Sequence, residues 1–196
     1  ADDGSIYIFH ADTEGLNFRK AFKDAGFYLS GCCIWKKNAL VLGRSPYQWQ
    51  HEPCLYGWKL KGKHQWYSDR KQTTIWEYDR PKANKDHPTM KPVGLMAYPI
   101  RNSTMTNGIV LDPFLGSGST LVACEETDRV CMGIELETKF VDVIVKRYIE
   151  LKDGNASDVY VIRDGQKMSL DEVVQLDADD LPSGEQAATE SGGVPE

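Results

Sequence analysis

A glycine-rich loop between an apolar run and a helical pattern constrains this chain most. The segment GIVLDPF is apolar up to Asp112 and predicts a buried strand, and a helix is predicted to begin near Ser119. Gly116 and Gly118 allow the loop to turn sharply and to approach a ligand closely. RVCMGIEL predicts a second strand after the helix. Strands joined by a helix run parallel, so this order predicts an α/β fold with a parallel sheet.

An acidic side chain ends the second strand, because Glu135 lies 23 residues after Asp112. A carboxylate at this place can accept hydrogen bonds from both ribose hydroxyls of a nucleoside. The loop has the spacing F-x-G-x-G, without the third glycine of dinucleotide-binding loops and without the lysine of a P-loop. The sequence therefore predicts a nucleoside ligand without a pyrophosphate and disfavours a nicotinamide-dependent oxidoreductase. A purely structural glycine loop is the alternative interpretation.

The remaining segments show ordinary strand and helix patterns. GSIYIFHAD and FYLSGCCIWKK predict buried strands, with a helix from Thr13 to Ala25 between them. A catalytic or binding loop could follow His10. A short helix is predicted from Val93. The last long helix is predicted from four apolar residues at helical spacing, Phe140, Ile144, Tyr148 and Leu151.

The net charge of −6 hides a strongly uneven distribution. Residues 169–196 contain 8 acidic and no basic side chains. Residues 31–101 contain 13 Lys or Arg against 5 Asp or Glu, together with all five tryptophans. Basic side chains neutralise phosphates and aromatic side chains stack on bases, so this segment predicts a DNA-binding surface. A solvated charged insertion, held to the core by its tryptophans, is the alternative.

Periodicity fades from Asn38 to Lys85, which predicts a functional insertion with small strands such as HEPCLYGW and TTIWEY. The basic residues predicted to contact DNA lie in and just before this insertion. They are Lys36, Lys37, Arg44, Lys59, Lys61, Lys63, Arg70 and Lys71.

Three motifs together resemble a known enzyme family. HPTMKP at 87–92, VLDPFLGSGST at 110–120 and GIEL at 133–136, followed by a helix containing KRY, resemble the S-adenosylmethionine-dependent DNA amino-methyltransferases. These enzymes modify adenine N6 or cytosine N4, and the order of motifs is similar to the permuted group, in which the catalytic motif precedes the cofactor motif. The resemblance implies a Rossmann-like methyltransferase sheet, mostly parallel, with helices on both faces, an irregular basic insertion and an incomplete N-terminal side.

The resemblance also implies roles for individual residues, with S-adenosyl-L-methionine as cofactor. Glu135 would hold the ribose and Leu136 would pack on the adenine. Thr89 and Lys91 would lie near the cofactor carboxylate. The methionine part would be surrounded by five residues of the loop, Asp112, Phe114, Gly116, Ser117 and Gly118.

Three of the motif residues have plainer alternatives. Phe114 could be a core residue, because an aromatic beside a buried strand is usually buried. Lys91 could be a solvated surface charge, as most lysines are. His87 is more simply a helix-entry or loop residue than a ligand, because nothing in the sequence pairs with it.

The catalytic tetrapeptide of this family, D/N/S-P-P-Y/F/W, occurs nowhere in the chain. In the permuted order it would precede the first strand, so we expect this chain to be a C-terminal portion of a larger enzyme and to be inactive by itself. The complete enzyme would transfer the sulfonium methyl to the amino group of a base flipped out of duplex DNA. Adenine N6 is the expected target because it is the more common one, with cytosine N4, or a partner subunit without catalysis, as alternatives. A second copy of the chain or the missing N-terminal portion would be its protein partner.

The resemblance divides most of the chain into three segments: residues 1–37 would belong to the catalytic half of the sheet, 38–86 to the target-recognition insertion and 87–152 to the cofactor-binding half. Within residues 153–176 the pattern VYVIRDGQKMSL predicts a small hairpin that turns at Asp164 and Gly165. The composition of residues 177–196 predicts a disordered acidic tail. The five cysteines form no CxxC pair and have no histidine at ligand spacing, which predicts reduced thiols and no metal site. Without a signal peptide or a long apolar span, a cytoplasmic protein is expected.

Overall fold

The computed structural model describes residues 1–81 and 90–173 and has an α/β fold. The chain divides into two compact units, Ala1–Leu151 and Lys152–Glu196. In the second unit β7 (Tyr160–Arg163) and β8 (Gln166–Ser169) form the predicted hairpin. Its turn residues, Asp164 and Gly165, both have the positive φ that a tight hairpin turn requires. The predicted disordered tail lies outside the described residues.

A four-stranded sheet forms the first part of the larger unit. Its elements are β1 (Ser5–Phe9), α1 (Gly15–Asp24), β2 (Phe27–Val41), β3 (Trp49–Lys59) and β4 (Ile75–Glu77). The strand order is β1-β3-β2-β4, with β3 antiparallel to both β1 and β2, and with β4 parallel to β2. The short connection between β2 and β3 favours an antiparallel hairpin.

The glycine loop and its neighbours form the second part as predicted. α2 (Val93–Ser103) precedes β5 (Ile109–Asp112), α3 (Ser119–Glu125), β6 (Val130–Gly133) and α4 (Thr138–Leu151). β5 and β6 pair in parallel, which confirms the strand-helix-strand prediction. Strand direction in the described residues is nevertheless more mixed than the expected mostly parallel sheet, because β1–β3, β2–β3 and β7–β8 are antiparallel pairs.

Helix α2 connects the two parts of the larger unit. Leu95 on α2 is fully buried in a cluster with four residues of the four-stranded sheet, Cys33, Trp35, Cys54 and Trp76. Two residues of the same helix pack with α3 in a second cluster, made of Ala97, Ile100, Ala123 and Cys124. The two clusters therefore join the four-stranded sheet to α3, the helix that follows the glycine loop.

Helices cover both faces of the four-stranded sheet, as predicted. Cys54 on β3 faces α2, whereas a Cβ on Gly57 would meet the ring of Phe22 on α1 at 2.9 Å. Residues 54 and 57 point to opposite faces because side chains alternate along a strand. The expected boundary between residues 37 and 38 falls inside β2, so the start of the predicted insertion belongs to the sheet.

The β5–β6 pair is covered on one face. Val110 and Cys131 pack against the cluster of α2 and α3. The alternate positions are exposed apolar side chains, Ile109, Leu111, Val130 and Met132. No helix within the described ranges is long and apolar enough to cross a membrane.

Candidate cofactor and nucleic-acid site

The two predicted glycines adopt the backbone conformation that the loop needs. Gly116 has φ of 56° and Gly118 has φ of 79°, in the left-handed region that favours glycine. A Cβ on Gly118 would lie 3.0 Å from Cγ1 of Ile144, so glycine also permits the close approach of α4. Helix α4 therefore packs closely against the loop at Gly118.

Asp112 fixes the loop on both sides of the turn. One carboxylate oxygen accepts a hydrogen bond from the Phe114 backbone N–H at 3.0 Å, and the other accepts from the Thr120 hydroxyl at 2.6 Å. Its carbonyl accepts from the Ile134 N–H at 2.9 Å. The side chain thus shapes the loop by joining its beginning to α3.

Glu135 brings the second strand to the same loop. Its Oε2 accepts a hydrogen bond from the Gly116 N–H at 2.7 Å, and its Oε1 accepts from the Glu137 N–H at 2.9 Å. The side chains of Phe114 and Leu136 are 88% and 91% exposed at this place. Phe114 is therefore not a core residue. Two exposed apolar groups and a fixed carboxylate make a surface suited to a nucleoside.

Lys91 lies between the loop and the four-stranded sheet. Its carbonyl accepts a hydrogen bond from the Ser119 hydroxyl at 2.8 Å, and its Nζ lies 3.1 Å from Oε1 of Glu52. The ammonium also lies 5.0 Å from the centre of the Phe9 ring. Lys91 is thus an ion-paired residue of the loop's surroundings rather than a solvated charge. Thr89 and His87 lie outside the described residues.

His10 directly follows β1, at the carboxyl end of that strand. The side chain is buried, stacks on Phe18 with ring centres 5.0 Å apart, and contacts the Ala11 carbonyl through Nδ1 at 2.7 Å. If Nδ1 donates this hydrogen bond, Nε2 is the acceptor, and it has no partner among residues 1–81 and 90–173.

The predicted DNA-binding residues lie at both ends of the four-stranded sheet. β1 and β2 run in the same direction, because both are antiparallel to β3, so the second half of β2 lies toward the carboxyl edge of β1. Lys36 and Lys37 lie there, and Arg44 lies in the turn that follows. Arg70 and Lys71 precede β4. Three lysines lie at the opposite end, beside the start of β1, namely Lys59, Lys61 and Lys63.

Three of these cations are paired with carboxylates. Lys36 lies 2.7 Å from Glu77, Lys37 lies 3.4 Å from Glu52, and Lys59 lies 2.6 Å from Asp2.

The turn between β2 and β3 also exposes apolar side chains, of which Leu42 and Tyr47 are nearly fully exposed. Within residues 1–81 and 90–173, no group of three or more His, Cys, Asp or Glu side chains could hold a metal ion.

Comparison with known proteins identifies the family. The model of the N6 and N4 methyltransferases, described as DNA methylase, matches residues 1–146. The chain belongs to this family.

Relatives of this DNA methylase chain are longer than the chain itself. The putative methylase YubD of Escherichia coli (strain K12) is 36% identical over 150 residues, which are 68% of this chain and 57% of that protein. Type II methyltransferase M.HinfI of Haemophilus influenzae is 27% identical over 179 residues, or 81% of this chain and 50% of that protein. The chain therefore spans about half the length of these curated relatives.

Solved structures show the same fold. The structure of the M1.HpyAVI–SAM complex matches with a TM-score of 0.66 and 29% identity, covering 76% of either chain. The cytosine-N4-specific PvuII DNA methyltransferase matches with a TM-score of 0.61 and 19% identity, covering 75% of this chain and 64% of that one. The second likeness concerns the fold alone. Together they confirm the Rossmann-like methyltransferase fold.

Two residues that support the site of this DNA methylase chain were not predicted from its sequence. Arg147 on α4 donates hydrogen bonds to the Ser117 carbonyl and to the Ser117 hydroxyl, and burial lowers the pKa of its guanidinium. Glu52 on β3 contacts both Lys37 and Lys91. The KRY sequence in α4 includes Arg147 and is part of the motif, but Arg147 lies 30 residues from Ser117 in the chain. The sequence alone therefore does not indicate their contact.

Proposed function

We propose that this chain carries the cofactor-binding and DNA-binding parts of an S-adenosylmethionine-dependent DNA amino-methyltransferase. The proposal rests on one observation: the hydrogen bond from the Gly116 N–H to the Glu135 carboxylate joins the loop after Asp112 to the segment that follows β6. Phe114 and Leu136 are exposed beside it. This surface fits a nucleoside and disfavours a pyrophosphate, because the Gly116 N–H already binds a carboxylate and Glu135 would repel a second anion.

In this proposal Glu135 holds the ribose hydroxyls of the cofactor and Leu136 packs on its adenine. The methionine part lies along the loop formed by Asp112, Phe114, Gly116, Ser117 and Gly118, with Thr89 and Lys91 near its carboxylate. S-adenosylmethionine supplies an electrophilic methyl group on its sulfonium. The chain's own residues bind and orient that group, and orientation accounts for much of the rate of such a transfer.

The proposed substrate is double-stranded DNA with the target base flipped out of the helix. Lys36 and Arg44 lie toward the carboxyl edge of β1, the edge at which Lys91 contacts Phe9, which favours this edge as the DNA side. Tyr47 in the adjoining turn is 90% exposed and is suited to stacking or wedging between bases.

Transfer also requires groups that bind the target amino nitrogen. The chain contains no D/N/S-P-P-Y/F/W tetrapeptide, so we propose that it binds cofactor and DNA without transferring the methyl group by itself. The target we propose is adenine N6, the more common one in the family, and cytosine N4 is the alternative.

A second candidate is a binding partner without catalysis of its own. The exposed apolar side chains of β5 and β6 favour this possibility, because a sheet face of this kind is usually covered by other structure.

Titration calorimetry and a methylation assay test these proposals. We expect the chain to bind S-adenosylmethionine and not NAD. With duplex DNA and labelled cofactor it should give no methylated product, whereas the complete reading frame should give N6-methyladenine, identified by mass spectrometry of the digested DNA. Binding of NAD alone would exclude a methyltransferase. Product from the chain alone would show that the active site is misplaced, and no product from the complete reading frame would favour the partner subunit.

A further inference from the structure

One carboxylate is shared by two lysines beside the glycine loop. Glu52 Oε1 lies 3.1 Å from Nζ of Lys91, and Oε2 lies 3.4 Å from Nζ of Lys37. The exposed fraction of the side chain is 23% for Glu52, 29% for Lys91 and 14% for Lys37. The cluster is thus largely removed from water, and it contains two positive charges and one negative charge.

The two lysines differ in their relation to the loop. The backbone of Lys91 accepts a hydrogen bond from Ser119 at the start of α3, so this residue is attached to the loop. Lys37 belongs to β2, where its ammonium lies 4.9 Å from the centre of the Trp35 ring. Lys37 is the less exposed of the two lysines, so it is poorly placed for the phosphate contact that was predicted from the sequence.

The sharing of Glu52 by two lysines determines whether Lys91 can leave its ion pair and turn toward a ligand. A half-buried carboxylate that loses its only cation is strongly destabilised. If Glu52 were paired with Lys91 alone, turning Lys91 toward a ligand would carry this cost. With Lys37 in place, Glu52 stays paired while Lys91 moves.

We propose that Lys37 is a positioning residue that keeps Glu52 neutralised, so that Lys91 can bind an anionic ligand group. This inference rests on the proposed function, and the group is the carboxylate of the cofactor's methionine part. The excess positive charge of the cluster matches this single negative charge, and the attachment of Lys91 to Ser119 keeps it beside the loop. Lys37 acts through Glu52 and does not contact the ligand.

Titration calorimetry on the full chain tests the role of Lys37. Lys37→Met keeps the apolar stem over Trp35 and removes the charge. We expect its affinity for S-adenosylmethionine to fall about tenfold, the order of one charge-assisted hydrogen bond. Its affinity for decarboxylated S-adenosylmethionine, which keeps the sulfonium and the amino group, should equal that of the wild type. Lys20→Met, at an exposed pair with Asp24 on α1, is the matched control and should bind both ligands normally.

A second variant separates positioning from a general loss of charge. In Lys37→Met/Glu52→Gln the carboxylate that captures Lys91 is gone, so affinity for S-adenosylmethionine should return to within about threefold of the wild type, as expected for a coupled pair. Unchanged affinity in Lys37→Met, or no recovery in the double variant, would overturn the inference alone. A fall in duplex DNA affinity with unchanged cofactor affinity would overturn it in favour of a phosphate contact. A wild-type chain that does not bind S-adenosylmethionine would overturn the proposed function and, with it, the inference.

Discussion

The backbone N–H of Gly116 donates a hydrogen bond to Oε2 of Glu135 at 2.7 Å, which ties the glycine loop to the end of the following strand. The same carboxylate accepts from the Glu137 N–H through its other oxygen. Glu135 is therefore fixed in place before any ligand arrives, and little side-chain entropy remains to be lost on binding.

The first prediction concerns this carboxylate. Glu135→Ala should weaken binding of S-adenosylmethionine by about 1 to 3 kcal/mol, the usual effect of losing a charged hydrogen-bond acceptor. Calorimetric titration measures the change. Glu125→Ala on α3 replaces a carboxylate elsewhere and should leave the affinity as it is. An unchanged affinity for Glu135→Ala would remove this residue from the ribose site.

The second prediction concerns the close approach of α4 to the loop. Gly118→Ala should lower the free energy of unfolding by about 1 to 3 kcal/mol, because alanine is strained at positive φ and its Cβ would press on Ile144. Gly26→Ala is the matched control, since Gly26 has φ of 83° with nothing within 4 Å of a Cβ. Urea unfolding should show a larger loss at 118 than at 26. Equal losses would mean that packing against α4 contributes nothing.

The order of elements around the loop could be predicted because its signals are local. Asp112, Gly116 and Ser119 lie within eight residues, and the conformation of each follows from its own chemistry. The hairpin at Asp164 and Gly165 was predictable for the same reason. The antiparallel pairs of β3 were not predicted, because pairing of distant strands depends on contacts that periodicity does not record.

The support of the site could not be predicted, because it joins residues far apart in the chain. Glu52 meets Lys91 across 39 positions, and Arg147 meets Ser117 across 30. The excess of basic residues in 31–101 also predicted a single basic surface for this segment. The direction of β3 instead separates Lys36 from Lys61, since these residues lie toward opposite ends of the sheet.

The third prediction concerns Arg147. Arg147→Met keeps the apolar stem and removes the donors to the Ser117 carbonyl and hydroxyl. We expect cofactor affinity to fall about tenfold, because the loop loses charge-assisted hydrogen bonds that hold its shape. Lys146→Met on the exposed face of the same helix serves as control. If circular dichroism shows a folded Arg147→Met variant with wild-type affinity, the contact is dispensable for the loop.

The fourth prediction concerns thiol reactivity. Burial raises the pKa of Cys33 to about 11 and also raises the pKa of Cys54, whereas a hydrogen bond from Cys124 lowers the pKa of Cys131. The thiolate is the reactive form, so at pH 8 iodoacetamide should label Cys131 before Cys33, Cys54 and Cys124. Labelling of Cys33 should increase as the pH approaches 11. Mass spectrometry of timed samples measures the order, and unfolding in urea should abolish it.

The fifth prediction tests which edge of the sheet faces DNA. Arg44 lies in the turn beyond the carboxyl edge of β1, whereas Lys61 lies beside the start of that strand. A phosphate contact contributes a slope of about one in the dependence of log affinity on log salt concentration. Arg44→Gln should therefore weaken duplex binding and reduce this slope by about one, while Lys61→Gln should change neither. Fluorescence anisotropy between 50 and 200 mM salt measures both variants. The opposite pattern would place DNA at the other end of the sheet, away from the glycine loop, where a flipped base could not reach the cofactor.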